Sequence, residues 1–331
     1  MKERILTGIK PTGLVHLGNY FGAIRPAIEL SKSDDFDCFY FIADYHALTT
    51  VKSKENMLNY TYNLAATWLA CGLDPNKVLF YKQSDVPEIL ELNWILCNLT
   101  PKGLMNRAHA YKACVEKNLE QNLDKDYGVN MGLYNYPILM ASDILIFDTC
   151  KVPVGLDQVQ HVEIARDIAS YFNNTFGKTF VLPESYVQEE TAVLVGLDGR
   201  KMSKSYNNYI QLFSSEKDLQ KQINRIITDS RLPGEPKDLD CSIYKIYKLF
   251  ASKEQTEVFA NKLLNGLGWG DAKKELFEIA NAYIKPMRDK FDYYISHKDE
   301  IDKILKDGAE KARLITKNKL YKIKKLIGIT K

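Results

Sequence analysis

The chain has 331 residues, 45% hydrophobic and 26% charged, with a formal net charge of +3. That length implies two domains, or one large domain with an appendage, and the composition is that of a soluble globular protein. No apolar run reaches the roughly 18 residues of a membrane span, and MKERILTGIKPTG holds no apolar core of a signal peptide, so a cytoplasmic protein without membrane or DNA partners is expected.

Six cysteines (Cys38, Cys71, Cys97, Cys114, Cys150, Cys241) lie far apart with no C-x-x-C pair. This argues against a zinc ribbon, an iron–sulfur cluster or a disulfide scaffold, and the thiols read as reduced. After Glu310 no acidic residue follows, while Arg313, Lys317, Lys319, Lys322, Lys324, Lys325 and Lys331 do. They form a basic stripe on an expected helix, suited either to RNA phosphates or simply to solvent.

The first half alternates. ERILTGI is a short apolar strand feeding a Gly/Pro turn, and residues 19–31 have helical spacing. FDCFYFIAD is a continuous apolar run, as in a strand buried on both faces; KENMLNYTYNLAATWLACGLD is an amphipathic helix stopped by Gly72 and Pro75; KVLFYKQS is a third strand. Such alternation predicts a parallel sheet covered by helices, with ligands beyond the carboxyl ends of its strands. Residues 85–135 break the rhythm with partly polar helical sequence and read as an insertion. The pattern resumes over 136–176, through YPILMASDILIF, KVPVGLD and the helix QVQHVEIARDIASYFNNTFG. Beyond about residue 212 everything reads as helical. The expected fold is therefore α/β: a Rossmann-like sheet domain over 1–190 with a helical insertion at 85–135, a loop and hinge over 191–212, and an all-helical domain over 213–331.

Three stretches carry chemistry. PTGLVHLGNY (11–20) follows the first strand: Pro11 and Gly13 suit a tight turn, Gly18 keeps the backbone open to a ring or phosphate, and His16 and Asn19 can donate beside the free N–H groups of the next helix. GRKMSKSYNN (199–208) sets Lys201 and Lys204 three residues apart among Ser203 and Ser205, in a loop able to close over a triphosphate and to stabilise charge on a leaving pyrophosphate. YNYPILMASDIL (134–145) is apolar except for Asp143, a carboxylate that needs a partner if it is buried. Other signatures fail: GKT at 177–179 lacks the upstream glycine of a P-loop, GLGWG at 266–270 lacks the third glycine of a dinucleotide fingerprint, and HExxH and GxSxG are absent. The helix with Gln160, His161, Glu163 and Arg166 reads as packed and hydrogen-bonded rather than as a metal or acid/base site.

PTGLVHLGN and KMSKS, in that order and separation, resemble the two signatures of class I aminoacyl-tRNA synthetases. YPILMASDIL, VPVGLDQVQHVEIARDIASYFN, GIKPTG, TDS (228–230) and GAEKAR (308–313) are similar to the tryptophanyl-tRNA synthetase family along essentially the whole chain. The resemblance implies tryptophan–tRNA ligation with ATP and Mg²⁺ as cofactors, L-tryptophan and tRNA(Trp) as partners, and a homodimer joined through the 85–135 insertion, with the helical half and its basic end reading the anticodon. It carries Asp143 as acceptor of the indole N–H, Met140 as packing on the ring, Tyr136 and Gln158 at the ammonium group and His46 beside the pocket. On the ATP side it carries Lys10, Pro11, Thr12, Gly18 and Asn19, the segment Gly155, Leu156 and Asp157 towards the ribose, Val193, and Lys201, Met202, Ser203, Lys204 and Ser205 on the phosphates. His16, Asn19, Lys201 and Lys204 are the expected catalytic residues, and no protein-bound metal is expected. Two positions depart from the pattern: Lys10 stands where many relatives have Gln, and Cys114 where many have a second basic residue, leaving Lys112 as the nearby cation.

The related tyrosine enzymes often carry Gln three residues before this Asp; here it is Met140, which fits indole, a donor only, better than phenol, a donor and acceptor. A tyrosine enzyme, a non-catalytic RNA-binding relative and a small-molecule nucleotidyltransferase are the alternatives. A site built around one hydrogen bond rejects substrates lacking it by roughly 10⁴–10⁵, so an editing domain is not expected.

Overall fold

The computed structural model describes residues 2–187 and 194–331, with Asp157 described by its backbone alone. Among the described residues one parallel sheet of five strands forms, in the order β3-β2-β1-β4-β5. The strands are β1 (Glu3–Ile9), β2 (Phe36–Ile42), β3 (Leu79–Lys82), β4 (Lys151–Pro153) and β5 (Glu184–Tyr186). Ile5 is in register with Cys38 on one side and with Lys151 on the other. The chain thus builds outwards from β1 in one direction and, after a long helical excursion, returns to build in the other. The crevice at that reversal, between β1 and β4, is where an open parallel sheet binds ligands.

The continuous apolar strands are explained by burial on both faces. Cys38, Tyr40 and Ile42 of β2 face a core shared with Trp68 and Phe80; Phe39 and Phe41 face a second core with Tyr81, Phe147 and Val152. Helix Lys54–Ala70 covers the first face, and helices Glu88–Cys97, Met131–Leu145 and Val159–Phe176 cover the second. The apolar run at 134–145 therefore forms a helix and not a strand; Asn130 caps it by accepting from the Leu133 N–H, and the helix accommodates Pro137.

From Glu216 onwards the described structure is helical, and the last helix, Lys298–Leu326, lies along β3. A Cβ on Gly308 would collide with the Phe80 carbonyl oxygen, so glycine is what lets the helix touch the strand backbone. Arg313 holds Glu88 through Nε and Nη2 at 3.1 and 3.0 Å, Lys319 pairs with Asp148 at 2.6 Å and Lys324 with Glu91 at 2.6 Å. Part of the basic stripe is thus spent inside the chain, while Lys317, Lys322 and Lys325 remain exposed. The six cysteines are free thiols, with Cys38 buried.

Candidate active site

The carboxyl ends of the central strands converge on Asp143. His46 comes from the turn after β2, Gln83 from the turn after β3, and Asp143 from the last turn of helix Met131–Leu145. Asp143 is 1% exposed and has two partners: His46 Nε2 lies 2.9 Å from Oδ2, and the Gln83 amide nitrogen lies 2.8 Å from Oδ1 and 3.0 Å from Oδ2. Burial raises the carboxyl above its ordinary range, while the hydrogen bonds from His46 and Gln83 pull it back down. Two donors leave lone pairs on the carboxylate for a third. Beside it, the Tyr136 ring stands edge-on to His46 with centroids 6.3 Å apart, and its hydroxyl lies 2.6 Å from His161 Nε2. Met140 is half-buried on the same helix and packs against the second core.

The second half of the site is polar and cationic. His16 caps the short helix Leu17–Asn19 in a reciprocal pair: Nδ1 accepts from the Asn19 N–H at 3.3 Å, and Asn19 Oδ1 accepts from the His16 N–H at 3.2 Å. An accepting Nδ1 puts the ring proton on Nε2, so neutral His16 is a donor there. Burial, reinforced by the charge of Lys204, lowers the His16 pKa to about 4. The Asn19 N–H is consumed by this cap.

The KMSKS loop folds back over this turn. A tight turn joins Val195 to Lys201, and Asn208 ties the loop together, donating to Asp198 at 2.6 Å and to the Lys201 carbonyl at 3.1 Å and accepting from the Ser203 N–H at 2.8 Å. Backbone bonds Leu17 N–H to Ile210 O (2.9 Å) and Leu212 N–H to Val15 O (3.0 Å) fasten the two signature segments to each other. Helix Trp269–Ser296 backs the first segment and the helix that follows the loop: Tyr283 bonds Tyr20 at 2.9 Å, while Asn281 donates to Glu216 at 2.8 Å.

Lys204 is pushed down by burial, and so is Lys10, whose Nζ lies 6.0 Å from the centre of the Tyr136 ring. Neither has a carboxylate partner among the described residues. Lys10 thereby stands between the Asp143 pocket and the cationic turn. Lys201 and Ser205 are exposed, Met202 is buried, and the Ser203 hydroxyl accepts from the Ser205 N–H at 3.2 Å. Pro11 is buried and Thr12 exposed; Gly18 lies close under Met202, a Cβ there being 3.7 Å from that of Met202. The turn Leu156–Gln158 follows β4 with Leu156 80% exposed, so its side chain meets solvent. Val193 lies outside the described residues. Lys112 pairs with Glu116 at 3.7 Å on the surface, and Cys114 is half-buried near Asn118.

Sequence reasoning passed over Gln83 and the His161 contact with Tyr136. Nothing in KVLFYKQS signals a partner 60 residues away. The helix of His161 is packed and hydrogen-bonded: His161 is 3% exposed, and Arg166 donates to the Pro183 carbonyl at 2.8 Å.

Comparison with known proteins gives the family. The family model described as tRNA synthetases class I (W and Y) matches residues 2–285. The chain is 53% identical to a tryptophan–tRNA ligase of Pseudomonas aeruginosa over 333 residues, covering 99% of this chain and 74% of the relative. It is 51% identical to that of Neisseria meningitidis over 330 residues, covering 99% and 98%. The crystal structure of tryptophanyl-tRNA synthetase from Campylobacter jejuni complexed with ADP and tryptophan superposes with a TM-score of 0.90 at 46% identity, covering 98% of this chain and 99% of that one.

Proposed function

The chain belongs to the class I tRNA synthetases for tryptophan and tyrosine, and we propose that it is the tryptophan–tRNA ligase, joining L-tryptophan to ATP as tryptophanyl-adenylate and then to the terminal adenosine of tRNA(Trp). The observation that carries the choice of amino acid is the buried Asp143, an acceptor held by two donors with Met140 one helical turn before it. The indole N–H is a donor and nothing else.

The ring enters against Met140 and donates to Asp143. Tyr136, giving its own proton to His161, turns an oxygen lone pair to the substrate ammonium, with Gln158 beside it. The carboxylate then attacks the α-phosphorus in line: a carbonyl-side O–P bond forms, the bond to the bridging oxygen breaks, and pyrophosphate leaves with the electron pair. No protein nucleophile is needed, so the chain's contribution is alignment and charge. Lys204 and Lys201 meet the pyrophosphate as charge accumulates, and His16 donates from Nε2 without bringing a charge of its own. Gly155 to Asp157 lie along the ribose. Mg²⁺ would come bound to the nucleotide and would neutralise charge on its phosphates; among the described residues no cluster of three or more His, Cys, Asp or Glu side chains fits a metal.

The exposed apolar side chains of the 85–135 insertion, Trp94 at 70%, Tyr127 at 63% and Leu119 at 58%, suit a homodimer interface. Lys317, Lys322 and Lys325 leave the end of the last helix free to meet RNA phosphates, with the helical half on the anticodon. No described helix is long and apolar enough to cross a membrane, and the cytoplasm is the proposed compartment. ATP–pyrophosphate exchange dependent on tryptophan tests the assignment; equal or greater exchange with tyrosine would overturn it.

A further inference from the structure

Gln83 is fully buried at the end of β3, and its amide is spent on one neighbour: the nitrogen is shared between both oxygens of Asp143, while its carbonyl oxygen, also buried, has no partner. An unpartnered buried carbonyl is costly, so the orientation of this amide is fixed by what its nitrogen does. Turning the amide over would aim the carbonyl at the carboxylate, two acceptors face to face, unless Asp143 took up a proton. A protonated Asp143 that donated to Gln83 would no longer present two oxygens as acceptors to the pocket. Tyr81, whose buried hydroxyl also lacks a partner, packs its ring on Phe41 and makes no hydrogen bond to Asp143.

We infer that Gln83 is a positioning residue for amino-acid selection: by bonding both oxygens of Asp143 from behind, it holds the carboxylate ionised and aimed, and so sets how strongly the site demands a ring N–H. His46 does not suffice alone, because it reaches Oδ2 only. The inference deepens the tryptophan–tRNA ligase reading and rests on it.

The test compares kcat/KM for ATP–pyrophosphate exchange with tryptophan and with 3-benzothienyl-L-alanine, in which sulfur replaces the ring N–H. In the unaltered enzyme the ratio should be large, roughly 10⁴–10⁵, as in sites built around a buried hydrogen bond. Gln83→Met keeps the side-chain length and removes the donor; it should cut the tryptophan value at least tenfold and leave the benzothienyl value within about twofold, narrowing the ratio. The ratio is taken within one preparation, so a lower folded fraction cancels, and Gln83→Leu serves if the Met variant does not fold. Equal loss with both substrates, or an unchanged ratio, would overturn the role of Gln83 while leaving the activity in place. No exchange with tryptophan in the unaltered enzyme would instead overturn the activity itself.

Discussion

Lys204 of the second signature lies against Gly13 of the first: a Cβ added to Gly13 would sit 3.1 Å from the lysine Nζ. Gly13 also has φ of +134°, a conformation other residues rarely adopt. Gly13→Ala therefore meets two obstacles, and the displaced group is the cation proposed to stabilise the departing pyrophosphate. The activation rate should fall at least tenfold, with ATP binding changed less; pre-steady-state adenylate formation separates the two.

Lys204→Ala tests the same contact from the other side. A cation that gains its interaction as charge develops affects the rate more than ground-state affinity. The expected result is a loss of roughly 10²–10³ in the first-order activation rate, the scale of a preorganised electrostatic contact, with ATP Kd raised only severalfold. A large rise in Kd with an unchanged rate would contradict the assignment.

Asp143→Ala should raise the tryptophan KM by about 10² or more and leave that of ATP nearly unchanged. It also strands the Gln83 amide and leaves His46 without its acceptor, which should cost about 1–3 kcal/mol of stability. An unaltered tryptophan KM alongside lowered stability would reduce Asp143 to a structural residue.

Asp143 marks both how far the sequence could be read and where reading stopped. Its need for a partner followed from one carboxylate in an apolar run, and the resemblance supplied the indole. What no local pattern could show is that His46 and Gln83 already engage it, because those contacts span 97 and 60 residues and depend on the order of the strands. The strands β1, β2 and β3 were legible because burial on both faces writes a continuous apolar run. The 134–145 segment was harder, since Pro137 and a short apolar run suit more than one element. The basic stripe was visible as charge, but its division between internal ion pairs and exposed lysines was not, because Glu88, Glu91 and Asp148 come from distant parts of the chain.

The pH dependence of stability tests the setting of His16. Its pKa in the folded chain, about 4, lies below the ordinary 6.5, so between those values the unfolded chain binds more protons. Stability should rise with pH across that window and be lost as pH falls through it. His16→Asn keeps a cap acceptor for the helix and removes the titration, so its urea midpoint should fall less between pH 6.5 and pH 4.5 than that of the unaltered protein. Equal slopes would show that His16 is not held neutral.

Gly308 offers the last test, of how the basic helix is fixed to the sheet. The Phe80 carbonyl it touches belongs to β3, the strand that ends one residue before Gln83, so the helix braces the strand that delivers Gln83 to the site. A methyl group colliding with a backbone oxygen cannot be absorbed by a side-chain rotation; the helix or the strand has to move. Gly308→Ala should therefore destabilise the protein by about 3 kcal/mol or more, as overpacking against a rigid neighbour does. It should also raise the tryptophan KM, because β3 is displaced, and it should speed amide hydrogen exchange in both β3 and helix Lys298–Leu326. Arg313→Met is the control: it removes the Glu88 ion pair without touching β3, so it should lower stability with little change in the tryptophan KM. If the two variants changed KM alike, the bracing of β3 by Gly308 would be wrong, and the ion pair would be the link between helix and site.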